Sequence, residues 1–249
     1  MTVPALQARN LGFAYGGTPV LEGVSFSVPR GVMMAVIGPN GAGKSTLFSI
    51  LAGALAPAGG SVRLDGAPLP AAPERVARRG VGRTFQTARP FAGLSVLENL
   101  LLAAPAAGFA ARWLFPLAAA PDAVARALAA EVGLSARLDR PAHALTHGEA
   151  KRLELAMVLI REPALLLMDE PTAGMAAAER AAFMDLVRAK ARVRGLTVLF
   201  TEHDMPTVFG FAERILVLHH GRVIADGPPA DIAADPAVRT VYLGGAAAP

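Results

Sequence analysis

The amino-acid sequence predicts an α/β fold. It has a mainly parallel sheet assembled from both ends of the chain, an antiparallel β subdomain at the N-terminus, and a helical subdomain inserted in the middle. Three observations carry that expectation. A short apolar run, Val32 to Ile37, leads into the glycine-rich GPNGAGKST of Gly38 to Thr46, and a helix-like run, Leu47 to Leu55, follows. A second apolar run, Ala164 to Met168, has the pattern of a strand buried on both faces and ends on two carboxylates, Asp169 and Glu170. Residues 87 to 163, between them, carry helix caps and helical periods instead of strand patterns.

Taken in order, residues 3–9 and 20–28 are strand-like, with the turn signal Tyr15-Gly16-Gly17 between them. Beyond the helix that starts near Lys44 come Gly59-Gly60, a short alternating strand from Val62 to Asp65, a turn at Gly66 and a strand from Val81 to Phe85. Ser95-Val-Leu-Glu98 is a capping box, followed by Leu100 and Leu101 on a helical period. Asp122 to Val132 is a helix stopped by Gly133, and another runs from His147 to Arg161, stopped by Pro163. Ala177 to Arg194 is a long helix with Glu179 and Asp185 early and Arg188, Lys190, Arg192 and Arg194 late, as the helix dipole favours. Leu196 to Thr201 and Ile215 to Leu218 are strands, and His220-Gly221 is a hairpin turn into Val223 to Ala225. The core is therefore expected from residues 1–86 and 164–249, with 87–163 as the helical insert.

The chain has 249 residues, 53% of them apolar, and a net charge of +4. No dense Lys/Arg tract accompanies that charge, so nucleic acid is not an expected partner. There is no cysteine, which removes disulfides and thiolate metal sites. The N-terminus lacks the pattern of a signal peptide. Leu100 to Ala120 is long and apolar, but Pro105, Arg112 and Pro116 interrupt it and alanine supplies most of its apolarity; it reads as a loop-rich soluble segment.

GPNGAGKST fits the phosphate-loop pattern G-x-x-x-x-G-K-[ST] at every fixed position. Gly38, Pro39, Asn40, Gly41, Ala42, Gly43, Lys44, Ser45 and Thr46 make the expected P-loop NTPase site. Glycines let the backbone N–H groups face an anion, Lys44 adds positive charge and the Ser45 hydroxyl suits Mg²⁺. A strand that is apolar until LLLMDE delivers Asp169 and Glu170 to the crevice beyond the sheet. Asp169 is expected to hold Mg²⁺, and Glu170 to polarise the water that attacks the γ-phosphate. Leu145 to Glu149, LTHGE, reads either as a helix N-cap or as a second anion site.

At LTHGE, placed between GPNGAGKST and LLLMDE, the sequence resembles the ATP-binding cassette (ABC) family, whose signature loop is usually LSGGQ. The resemblance covers almost the whole chain. It implies an ATPase in which Thr146, Gly148 and Glu149 contact the γ-phosphate held by an opposing subunit. Gln86, in RTFQ, resembles the glutamine that senses Mg²⁺ and the lytic water. His203, in TEHDM, resembles the switch histidine at the γ-phosphate, and Tyr15 the aromatic residue that stacks on adenine. Lys44, Glu170 and His203 are then the catalytic set; Ser45, Gln86 and Asp169 are the metal set; ATP and Mg²⁺ are the cofactors. ARRGVGRTFQ, LTHGEAKRLELA, DEPTAGM, TEHDM and VYLG narrow the likeness to importers of branched-chain amino acids or related small polar solutes. The implied partners are a second ABC ATPase subunit, identical or not, transmembrane permease subunits and, indirectly, a solute-binding protein. The implied place is peripheral, on the cytoplasmic face of the inner membrane. An ATPase of a lipid or lipopolysaccharide exporter, and a soluble ABC ATPase outside transport, are the alternatives. Two positions depart from the family: His147 stands for a glycine, and Ala176 for an aspartate in the dimer-contact loop.

Overall fold

A computed structural model describes residues 3–105 and 121–241. Its first sheet has four antiparallel strands in the order β2-β1-β4-β5. They are β1 (Leu6–Tyr15), β2 (Thr18–Val28), β4 (Gly59–Leu64) and β5 (Ala67–Pro68). The strand expected over residues 3–9 is longer than its alternation suggests. Asn10 adopts φ 49°, and the β1–β2 register shifts between Ala8 and Leu11. The period breaks at this bulge, yet the strand continues to Tyr15. Gly59 and Gly60 lie inside β4 and face the same bulge. A Cβ on Gly60 would stand 2.3 Å from the Asn10 carbonyl oxygen, so the glycine reads as a turn in sequence but serves a close approach of two backbones.

The second sheet has six strands in the order β10-β9-β3-β8-β7-β6. β3 (Met33–Ile37), β6 (Val81–Thr84), β7 (Leu165–Asp169), β8 (Thr197–Thr201) and β9 (Arg214–His219) are mutually parallel. β10 (Arg222–Gly227) is antiparallel to β9, through the turn at His220 (φ 44°) and Gly221 (φ 72°). Strict alternation sorts each strand between two cores. Met33, Ala35, Ile37, Leu166, Met168, Val198 and Phe200 face one, and Met34, Val36, Leu165, Leu167 and Leu199 face the other. Burial on both faces is why these strands are continuously apolar.

The second core is closed by the four-stranded sheet and by α1 (Lys44–Leu51), through Leu47, Phe48 and Leu51. The first is closed by helices. α2 (Pro73–Arg78), which precedes β6, instead adds Val76 to the second core. α3 (Val96–Ala103), α4 (Pro121–Glu131) and α5 (His147–Leu159) lie between β6 and β7, and α6 (Ala177–Arg194) follows β7. The Ser95–Glu98 capping box is present at α3. α2, α7 (Met205–Phe211), α8 (Pro229–Ala234) and α9 (Pro236–Val241) were not legible in the sequence. Each is short and opens on a proline in its first two positions. Proline tolerates that place because the first N–H groups of a helix have no partner there. Residues 106–120 of the apolar segment, and Tyr242 to Gly244 of VYLG, lie outside the described residues. Among the described residues no helix is long and apolar enough to cross a membrane.

Candidate active site

The glycine-rich loop links β3 to α1. Gly43, the N-cap of α1, has φ 101°, and no side chain caps the helix. The leading N–H groups are thus left for an anion. Gly38 and Gly43 are demanded by packing. A Cβ on Gly38 would meet the Leu218 carbonyl oxygen at 2.2 Å, and one on Gly43 would meet Leu21 Cδ2 at 2.6 Å. Gly41 faces open space. Lys44 is buried, and its Nζ donates to the carbonyls of Gly38 (2.6 Å) and Pro39 (3.2 Å). Burial lowers its pKa from the usual lysine value, and the carboxylates of Glu170 and Asp169 pull it back up. The Ser45 side chain is exposed at the helix start.

The carboxylates come off the C-terminal end of β7. Because β6, β7 and β8 are parallel neighbours, the segments that follow them emerge side by side. Thr201, the last residue of β8, donates from Oγ1 to Asp169 (2.8 Å) and accepts the Glu170 N–H (3.0 Å). Asp169 also has the Arg83 guanidinium at 3.6 Å. Glu170 has φ 45°, a left-handed conformation uncommon outside glycine that turns the chain sharply at the strand end. Its Oε1 accepts from His203 Nε2 at 2.8 Å and its Oε2 from Gln86 Nε2 at 2.7 Å. Three side chains distant in sequence thus converge on one carboxylate. Beside them, buried Glu202 accepts from Thr172 N (3.0 Å) and Oγ1 (2.6 Å), and from His203 N (3.3 Å).

LTHGE starts α5. Thr146 and Glu149 form a full capping box, and Glu149 Oε1 also accepts from Arg137 at 2.7 Å. The Arg137 hydrogen bond, then the Thr146 N–H, holds the Glu149 pKa below the usual carboxylate value. The T-x-x-E spacing is that of a capping box, which is the form the N-cap takes here. His147 Nε2 donates to the Ala173 carbonyl at 3.0 Å, and a Cβ on Gly148 would collide with Glu179 Oε1 at 1.7 Å. This loop is therefore packed on the segment that follows Glu170. Among the described residues no hydrogen bond joins Thr146, Gly148 or Glu149 to the loop of Lys44. Tyr15 ends β1, with its ring half exposed and edge-on to Phe13 at 4.8 Å.

Among the described residues no group of three or more His, Asp or Glu side chains could cage a metal ion. The available donors are the Ser45 hydroxyl, the Asp169 carboxylate and the Gln86 amide oxygen. Such a sparse set of hard oxygen ligands fits Mg²⁺, which is usually held by one or two carboxylates together with phosphates and water.

A phosphate loop after a central strand, facing an acidic strand end whose carboxylate meets a histidine and a glutamine, defines a P-loop ATPase. Comparison with known proteins makes the class narrower. The family described as "ABC transporter" matches residues 21–173, and that described as "Branched-chain amino acid ATP-binding cassette transporter" matches residues 222–248. The high-affinity branched-chain amino acid transport ATP-binding protein BraF of Pseudomonas aeruginosa is 36% identical, over 98% of this chain and 99% of its own. LivG of Escherichia coli K12, of the same description, is 34% identical over the same shares. Among solved structures, the ADP conformation of the ATP-binding cassette MJ1267 superposes with TM-score 0.84 at 30% identity, covering 98% of this chain and 100% of that one. The chain belongs to the ABC transporter family. It binds ATP and hydrolyses it to power transport.

The residues missed at the sequence level are those behind the motifs. Thr201 and Glu202 are the first two residues of TEHDM, yet the motif points only to His203. Lys151 and Glu154 lie within the quoted KRLELA and were read as part of a helix.

Proposed function

We propose that this chain is the ATP-hydrolysing subunit of a membrane importer for branched-chain amino acids or related small polar solutes such as urea and amides. The observation that carries the hydrolytic part is the convergence of His203 and Gln86 on Glu170. The match of residues 222–248 favours import over the exporter reading, and the names of the relatives supply the solute class. The carboxylate of Glu170 takes the proton of the attacking water, and the two hydrogen bonds hold it in place for that task. His203 and Lys44 contact the γ-phosphate, and the N–H groups of Gly41 to Ser45 take the remaining phosphate charge. Tyr15 stacks on adenine. Ser45, Asp169 and Gln86 hold Mg²⁺, which when bound neutralises charge on the β- and γ-phosphates.

Two ATPase subunits close head to tail, so that Thr146, Gly148 and Glu149 of one cap the ATP of the other. Residues 87–163 move as a helical lobe against the core of 1–86 and 164–249 and pass that motion to permease subunits. The chain then sits peripherally on the cytoplasmic face of the inner membrane, and a solute-binding protein delivers cargo on the far side. Glu170→Gln tests the core of this reading. Hydrolysis is expected to fall by about 100-fold or more, while ATP is retained and drives a dimer seen by size-exclusion chromatography. Unchanged turnover removes Glu170 as the base, and an ATP-loaded monomer removes the head-to-tail site.

A further inference from the structure

Lys151, on the second turn of α5, is only 2% exposed. Its Nζ donates to two main-chain carbonyls of another segment, Phe85 at 2.7 Å and Gln86 at 2.5 Å. Glu154, three residues on and so on the same helix face, is 6% exposed, and its Oε1 accepts the Phe85 N–H at 3.2 Å. One helix thus grips both polar groups of Phe85 and the carbonyl of Gln86 with two charged side chains. An ammonium buried to this degree is costly unless its donors are used. Burial lowers the Lys151 pKa, and the carboxylates of Glu154, Glu202, Asp169 and Glu170 oppose that shift only in part.

The gripped segment lies just beyond the sheet. β6 ends at Thr84, so no ladder bond fixes Phe85 or Gln86, and both side chains are exposed. Yet the Gln86 amide must reach Glu170 Oε2, which it does at 2.7 Å. The Lys151 hydrogen bond to the Gln86 carbonyl is one residue's width from that contact.

We infer that Lys151 is a positioning residue: it fixes the main chain at Gln86 so that the Gln86 amide reaches Glu170, and it thereby ties the helix capped by Thr146 to the hydrolytic carboxylate. The inference rests on the proposed roles of Glu170 and Gln86.

A double-mutant cycle with ATP turnover tests it. Lys151→Met keeps the length of the side chain and removes its donors. It is expected to lower kcat by about 10- to 100-fold, the scale of a group misplaced by an ångström, with the KM for ATP changed less than about twofold. In a Gln86→Ala background the same change is expected to cost less than about threefold, because the side chain it positions is gone. A merely structural lysine gives the opposite result, an equal loss in both backgrounds, and that result overturns the inference. So does wild-type kcat in Lys151→Met alone. Wild-type turnover in Gln86→Ala alone overturns the role of Gln86 itself, and the positioning role with it. Should Lys151→Met not fold, Lys151→Gln, which keeps an N–H donor on a shorter stem, passes through the same cycle against the same thresholds.

Discussion

Two glycine-to-alanine changes separate glycines that hold the fold from glycines that serve the chemistry. A Cβ on Gly38 would stand 2.2 Å from the Leu218 carbonyl oxygen and 3.1 Å from its carbon. Even close C···O contacts lie near ~3.3 Å, so about 1 Å must be found. Leu218 cannot supply it, because β9 is hydrogen-bonded to β3 on one side and β10 on the other, and the residue is fully buried. Overpacking costs about 1–3 kcal/mol, and a main-chain obstacle locked on both sides belongs at the upper end. At about 2–4 °C per kcal/mol for a chain of this size, Gly38→Ala is expected to lower the melting midpoint by roughly 6–12 °C. The Gly148 collision is closer, 1.7 Å to Glu179 Oε1, but the obstacle is the tip of a flexible side chain. Glu179 can swing aside, and alanine is favoured over glycine in a helix by up to ~1 kcal/mol. Gly148→Ala is therefore expected to melt no lower than the wild type while losing turnover, because its methyl group stands at the loop proposed to cap the partner's phosphate. Thermal denaturation by circular dichroism, paired with phosphate release, reads both. A Gly38→Ala midpoint within ~2 °C of the wild type refutes the packing argument. Equal destabilisation of the two variants refutes the distinction between rigid and yielding obstacles.

Asp204 caps α7 by accepting from Thr207 N at 2.9 Å and Oγ1 at 2.6 Å, and pairs with Arg180 at 2.7 Å. The Thr207 hydroxyl, first among these partners, holds its pKa below the usual 3.8, so its contribution is present above that pH and is lost as the pH falls through the folded-state value. Asp204→Ala is expected to cost about 1 kcal/mol at pH 7 in denaturant melts. The gap should shrink below pH 3.8; a gap that persists in acid contradicts the capping account. Ala176 is the N-cap of α6, in extended geometry and with no side-chain cap. Ala176→Asp is expected to raise stability by about 0.5–2 kcal/mol, and an unchanged denaturation midpoint counts against that assignment.

The parallel core was legible because burial on both faces leaves an unbroken apolar run, and the phosphate loop because its spacing is fixed by the anion it must surround. The short helices were not, since a leading proline reads as a breaker until the helix start is known. The residues that support the site were hidden for a different reason. Lys44 and Glu170 lie in motifs of fixed local spacing, so their neighbours in sequence mark them. Lys151 and Thr201 reach inward, to carbonyls and a carboxylate supplied by segments far away in sequence. Any long donor on the right helix face could do what Lys151 does, so local pattern carries no mark of it. Only the pairing of β6 with β7 and the packing of α5 beneath them reveal the contact.

The same inward contacts bear on the missing carboxylate at Ala176. Family resemblance places an aspartate there, in the loop through which paired sites are expected to communicate. In this chain that loop is tied down from within: Thr172 by Glu202, and Ala173 by His147. Glu202 also accepts the His203 N–H, and His203 bonds Glu170. A displacement of the loop is therefore felt at His203 through one buried carboxylate, and at LTHGE through one imidazole. Both departures from the family pattern fall on this circuit. The histidine in place of glycine adds a contact within the subunit, and the alanine in place of aspartate leaves the loop without a carboxylate at that position. In the proposed dimer the loop's position then depends more on its own subunit's site than on a direct ionic contact with the partner's.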